Sequence, residues 1–173
     1  PTYAYAQEIE RWASTGSAPR RRSAVYSFAD DLISQTRYDA ADTASTNYVQ
    51  ADGFGSTRWL TDATGAITDQ IDYDAFGNEI ARSGSTAIEH LYRGERWDAH
   101  IAAYDLRARL YTPSNGRFLT QDTFAGFNQD PQSLHKYVYT HNNPVNNTDP
   151  SGHFSMAEVG TSLRVMGHLA AIG

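Results

Sequence analysis

Hydrophobic positions in this chain recur mostly at period two, in short runs broken by turn residues, which predicts strands rather than helices. Tyr3 and Tyr5 alternate with small residues, and Ile9 and Trp12 follow as anchors, so residues 1–12 read as an edge strand. Ser, Thr, Gly and Pro between Ser14 and the arginines at 20–22 predict a loop. From Ser23 onward, strands are expected at 24–29 and 32–38, joined by a turn at Asp30-Asp31 and followed by a loop of small residues over 39–46. Farther on, Leu106, Ala108 and Leu110 alternate with Arg107, Arg109 and Tyr111, as on a strand with one apolar and one cationic face. Pro113-Ser-Asn-Gly116 predicts a hairpin turn, with 117–122 as the next extended segment. Only after residue 153 does the period change. Met156, Val159, Leu163 and Met166 fall near helical spacing behind a capping Ser155, predicting a short amphipathic helix.

The strand pattern contains a repeat. Asp52-Gly-Phe-Gly55 and Asp74-Ala-Phe-Gly77 lie 22 residues apart, each behind a tyrosine-containing strand, and Asp62-Ala-Thr-Gly65 forms a turn between them. Aspartate can tie down the amides of such a turn, and glycine can take the left-handed conformation that closes it. A strand-turn-strand unit cannot bury its own face and must stack on copies of itself, so two visible copies suggest a fragment of a longer array. The absence of Met at position 1 fits that reading, although Met removal before Pro gives the same start. The 11 tyrosines suit sheet packing, where the ring adds apolar area and the hydroxyl finds a partner; a sugar-binding aromatic patch is the alternative.

Charge and composition narrow the chemistry. A net charge of −6 gives no basic field, which argues against nucleic-acid binding, and no long apolar run predicts a membrane span or leader. Of 14 cationic residues only Lys136 is lysine; the arginine bias reflects either planar pairing with carboxylates or base composition. Cysteine is absent, which excludes disulfides, thiol nucleophiles and Cys-ligated metals. His135 and His141 are six residues apart and His100 stands alone, so no zinc-binding helical pair is present. No cofactor and no metal are expected.

The unusual chemistry is concentrated near the C-terminal end. Asp149-Pro150-Ser151-Gly152 is a turn signal in which Asp149 can accept from the amides after it, and Asp122 stands 27 residues upstream. Tyr-Asp-Ala-Phe-Gly-Asn at 73–78, Tyr92-Arg-Gly-Glu-Arg-Trp-Asp98, Leu106-Arg-Ala-Arg-Leu-Tyr111, Asn115-Gly-Arg-Phe-Leu-Thr-Gln-Asp122, Asn142-Asn-Pro144 and Asp149-Pro-Ser-Gly152 follow one another in that order. This ordered set resembles the Rhs repeat-associated core domain at the C-terminal end of bacterial Rhs/YD-repeat proteins, over about Tyr26 to His153.

The resemblance implies an all-β fold in which YD-repeat strand-turn units form part of a β-shell, or cocoon, with an irregular C-terminal plug. It implies encapsulation of a C-terminal toxin and its release by self-cleavage just after the Asp-Pro-x-Gly turn, at His153–Phe154 or, second, at Phe154–Ser155. By the same resemblance Asp122 and Asp149 are the catalytic aspartates, with Arg117 of Gly-Arg-Phe as their cation and Pro150 and Gly152 shaping the turn. Two carboxylates close together can share acid and base roles on water without a metal or thiol. The family motif has Asp-Pro at the first position, whereas Thr123 follows Asp122; Asp130, which precedes Pro131, is a substitute. His153 is assigned no catalytic role. The expected organisation is an N-terminal strand and arginine loop (1–22), the core (23–153) and the start of the cargo (154–173). Expected partners are the rest of the shell, the toxin segment, and secretion-system or chaperone proteins; the expected location is bacterial, cytoplasmic until export. A shell or surface-interaction module that never cuts is the alternative, in which the same turns merely close a sheet.

Overall fold

Strands form where apolar residues alternate, and several end where an aspartate captures the backbone that follows. The computed structural model describes residues 10–13, 21–28, 31–126, 128–129 and 131–153. Among them, helical structure is confined to single 3₁₀ turns at Tyr92–Gly94 and Thr140–Asn142. The all-β expectation is met. Residues 1–9 and 14–20 of the expected edge strand and loop, Asp30, Asp130, Phe154 and the expected C-terminal helix lie outside the described residues. The chain divides into two compact units, 1–72 with 79–94, and 73–78 with 95–173.

In the first unit β1 (Glu10–Ala13), β2 (Arg21–Phe28), β3 (Leu32–Tyr38), β4 (Ala44–Ala51), β5 (Thr57–Thr61), β6 (Ile67–Tyr73) and β7 (Glu79–Ser83) lie side by side in chain order. β1 to β6 pair antiparallel. One turn geometry recurs between them. At Asp62 the amide donates to Ala66 O (3.0 Å), Gly65 N donates back to Asp62 O (3.0 Å), and Oδ1 accepts from Thr64 N (2.8 Å) and Ala66 N (3.0 Å). Asp52 makes the same set with Gly55, as does Asp74 with Gly77 in the 73–78 stretch of the second unit. The loop expected at 39–46 is shorter, since β4 begins at Ala44, and 39–43 is a fourth copy of the turn: Asp39 Oδ1 accepts from Ala41 N and Thr43 N, and Asp42 takes glycine's place at φ 61°. Because no glycine marks it, the sequence does not reveal it.

The sheet buries Tyr26, Gln35, Leu60, Asp69 and Ile71. Residues 86–91 supply partners to several of its polar groups. Thr86 N donates to Asp69 Oδ1 (2.8 Å), Gln35 Nε2 to Ala87 O (3.0 Å), and Thr57 to the carbonyls of His90 and Leu91. The His90 ring packs edge-on against Tyr26 and Phe28, at 5.1 and 5.5 Å between centroids.

In the second unit β8 (Arg96–Asp98), β9 (Ala103–Asp105), β10 (Leu110–Thr112) and β11 (Arg117–Phe118) form a sheet in the order β11-β10-β9-β8. Its core is aromatic: Tyr111 meets Tyr139 at 4.2 Å and Phe118 at 5.9 Å, and Trp97 meets Tyr104 at 4.7 Å. The Tyr104 and Tyr111 hydroxyls donate to the carbonyls of Gly77 and Phe76, so the 73–78 turn is held by the rings it covers. The single strand expected over 106–111 is instead broken. Asp105 Oδ1 accepts Arg107 N at 2.9 Å, Leu106 N donates to Arg109 O at 3.0 Å, and Arg107 adopts φ 68°. A side chain capturing its own backbone two residues on overrides the alternating pattern.

The two glycine environments near β6 separate conformational strain from crowding. Gly65 has φ +84° and open space around it, whereas a Cβ at Gly84 (φ +81°) would stand 2.4 Å from Thr68 O and 2.3 Å from Asp69 Oδ1. Gly65→Ala is expected to cost roughly 1–2 kcal/mol, and Gly84→Ala clearly more. Urea unfolding of both variants checks this; equal losses would contradict it.

Candidate functional site

A buried guanidinium organises the site. Arg109, at the end of the 105–109 loop, has a side chain only 4% exposed and lies over the Phe118 ring, 3.7 Å from its centroid. Its Nη2 lies 2.8 Å from Asp122 Oδ2 and 3.7 Å from Asp149 Oδ2. Thus the two aspartates singled out in the sequence share one cation. Their side chains are 11% and 2% exposed. Nε donates to Gly152 O, Nη2 donates to His153 O at 3.1 Å, and Nη1 donates to Lys136 O at 3.2 Å. Every arm of the arginine fork is engaged, as a buried charge requires.

Local sequence explains how each group arrives. Asp149 closes its turn as expected, Oδ1 accepting from Ser151 N (3.1 Å), Gly152 N (2.8 Å) and Ser151 Oγ (3.3 Å). Gly152 has φ +74°, and a Cβ there would lie 2.3 Å from Leu106 O and 3.1 Å from Arg109 N. Only glycine lets the turn seat against the 105–109 loop. Pro150, half-buried, occupies the second position of that turn. Asp122 is fixed by its own amide, which donates to Lys136 O at 2.9 Å, and by Phe124 N, which donates to its Oδ1 at 2.9 Å. His153 Nδ1 lies 3.6 Å from Asp122 Oδ1.

Burial pushes the Asp149 carboxyl above its ordinary value, against the opposing pull of the Ser151 and Gly152 amides and Arg109. A third carboxylate lies close enough to interact with it. Glu95, just before β8 and 13% exposed, binds Arg107 Nη1 through both oxygens at 2.8 and 3.0 Å. Burial raises it to about 7; Arg107 pulls it down, while Asp105 and Asp149 push it further up.

Arg117 stands elsewhere. It is exposed on β11, where its amide donates to Asn115 Oδ1 and it pairs with Val138 across a β-bridge. The cation between Asp122 and Asp149 is Arg109, which alternation alone placed on a cationic strand face. The Asp105 turn is the signal that could have separated Arg109 from that face; Glu95 carried no signal, since its burial depends on packing across the unit. Among the described residues, no group of three or more His, Asp and Glu is arranged to hold a metal, and no helix is long and apolar enough to cross a membrane.

Comparison with known proteins agrees with this architecture. Residues 14–145 match the family described as teneurin YD-shell. The tRNA nuclease WapA of Bacillus subtilis is 37% identical over 98 residues, which cover 55% of this chain and 4% of that protein. A crystal structure of TcdB2-TccC3-Cdc42 superposes with a TM-score of 0.68 at 22% identity, covering 83% of this chain and 7% of that one. Another, of TcdB2-TccC3 without hypervariable C-terminal region, gives 0.64 at 21% identity, covering 77% and 7%. At those identities the structural likeness is one of fold, and the chain spans only a small fraction of each relative's length. The family match covers most of the chain and coincides with the repeated aspartate turns and both sheets: the chain belongs to the teneurin YD-shell family and is an Rhs/YD-repeat shell domain.

Proposed function

We propose that this shell domain cuts its own backbone after His153 and so severs a downstream segment from the shell. The observation that carries the reading is that one nitrogen, Arg109 Nη2, donates to the His153 carbonyl at 3.1 Å while lying 2.8 Å from Asp122. A positive charge against the oxygen that would become negative, with a carboxylate beside it, supports that reading. Asp122, the more exposed of the pair, takes a proton from water as the water oxygen bonds to the His153 carbonyl carbon. Arg109 stabilises the resulting oxyanion. Asp149, whose burial favours its protonated form, delivers a proton to the departing nitrogen of Phe154 as the carbon–nitrogen bond breaks. Because catalyst and substrate share one chain, an effective molarity on the order of 10⁵ M or more is available for a single turnover.

The severed segment is read as a toxin enclosed by the shell. Support comes from relatives of known description: WapA is a tRNA nuclease, and one TcdB2-TccC3 structure is described as being without a hypervariable C-terminal region. On this reading the partners are the rest of the shell and the C-terminal toxin, with secretion-system or chaperone proteins assisting, and the whole is a secreted bacterial effector used in competition. A shell that never cuts is favoured by one observation, that Asp149 Oδ1 is already satisfied as a turn cap.

Intact mass of the folded chain separates the two readings. Self-cleavage predicts a fragment ending at His153 in the parent and a rate loss of roughly 100-fold or more in Asp122→Asn, Asp149→Asn and Arg109→Lys. A folded parent that keeps its full mass contradicts the proposal, as does a cut that survives both aspartate substitutions.

The raised carboxylates also set a pH dependence. Glu95 rises from 4.5 in its ordinary state to about 7 in the fold. The folded state therefore binds more protons than the unfolded state between those values, and stability falls as pH rises through that window. The loss attributable to Glu95 is on the order of 3 kcal/mol. Urea midpoints at about pH 5 and about pH 8 should differ in this direction, and Glu95→Gln should narrow the gap; a midpoint that rises with pH would contradict the assignment.

A further inference from the structure

Arg117 of the Gly-Arg-Phe motif and Asn142 of Asn-Asn-Pro take no part in the cleavage centre, yet they meet elsewhere in the second unit. With Asn115, Gln132, His135 and His141 they line a half-open recess of about 270 Å³. Every polar side chain on its described wall is a guanidinium, an imidazole or a carboxamide, and none is a carboxylate. This concentration of donors contrasts with a chain whose net charge is −6.

The walls are hydrogen-bonded turns, so the recess is built before anything enters it. Gly116 N donates to Pro113 O (3.2 Å), and Arg117 N to Asn115 Oδ1 (3.0 Å). His135 N donates to Gln132 O (3.1 Å), while Asn142 N and Asn143 N donate to Tyr139 O and Thr140 O. The Arg117–Val138 bridge joins two of these walls. Thr140, His141 and Asn142 take φ of 46°, 53° and 58° in succession. Three adjacent non-glycine residues in the left-handed region are costly, and such strain is retained where a site needs side chains aimed in a set direction.

We propose that this recess binds the carboxylate of an acidic peptide segment, with Arg117 as its principal contact. The arginine fork matches a carboxylate's two oxygens, and the imidazoles and carboxamides supply further donors around it. The volume lies just below the usual range for a small-molecule pocket and is ample for a side-chain carboxylate. The domain corresponds to 4% of WapA and 7% of the TcdB2-TccC3 chain, and in chains of that kind peptide segments would surround it.

The test is an amide NMR titration of the folded chain with a blocked oligoglutamate peptide, beside the same peptide with glutamine throughout and beside inorganic phosphate. Shifts centred on 115–117 and 140–142 are expected from the acidic peptide, with binding about tenfold weaker for the glutamine peptide and for Arg117→Gln. Asn115→Asp, which puts a carboxylate into the recess, should weaken binding comparably and serves if Arg117→Gln disturbs the fold. Shifts centred elsewhere, affinity indifferent to both substitutions, or phosphate binding tighter than the peptide would each overturn the proposal. None of these outcomes depends on whether the chain cleaves itself.

Discussion

The second unit is organised around the desolvated charge of Arg109. A guanidinium taken out of water is tolerable only if its donors are all engaged, and here two aspartates, three carbonyls and an aromatic face engage it. Those partners come from segments far apart in sequence: β11, the stretches around Asp122 and Lys136, and the Asp149 turn. One side chain therefore ties the last described residues of the chain to the sheet. On the proposed cleavage the same geometry makes a structural lock serve as a catalyst. A cation that must bind a carbonyl oxygen to be satisfied is already where an oxyanion would need it.

Aspartate serves the fold in a second way, repeatedly. At Asp39, Asp52, Asp62 and Asp74 a carboxylate oxygen accepts two amides and closes the connection between neighbouring strands. Asp149 makes the same kind of local capture with Ser151 and Gly152. What distinguishes it is burial, which raises its proton affinity where hydrogen bonds hold Asp62 and Asp74 below the ordinary carboxylate range despite the opposing effect of burial. A residue type used for turns along the shell thus becomes, beside Arg109, a candidate acid.

Much of this was legible in the residues. Period-two alternation and the Asp-x-x-Gly turns mark most strands of the first sheet, because both depend on local geometry. Asp39 escaped because Asp42 replaces the glycine that signals such a turn. The aspartates of the site were also legible, since the ordered motifs carry them, and the structure brings them onto one cation. Arg109 and Glu95 were not, for a physical reason: what sets them apart is desolvation by segments that the sequence keeps distant. Arg107 and Arg109 look equivalent along the chain, yet one pairs with Glu95 near the surface and the other is sealed beneath the Asp149 turn.

In the proposed cleavage, water attacks the His153 carbonyl presented by Arg109. Incubating the freshly folded chain in oxygen-18 water and measuring fragment masses tests it most directly. Self-cleavage by this route predicts a fragment ending at His153 that carries one heavy oxygen in its new carboxylate. A labelled terminus at another residue, an unlabelled His153 terminus formed during the incubation, or an intact chain that stays folded throughout would contradict it.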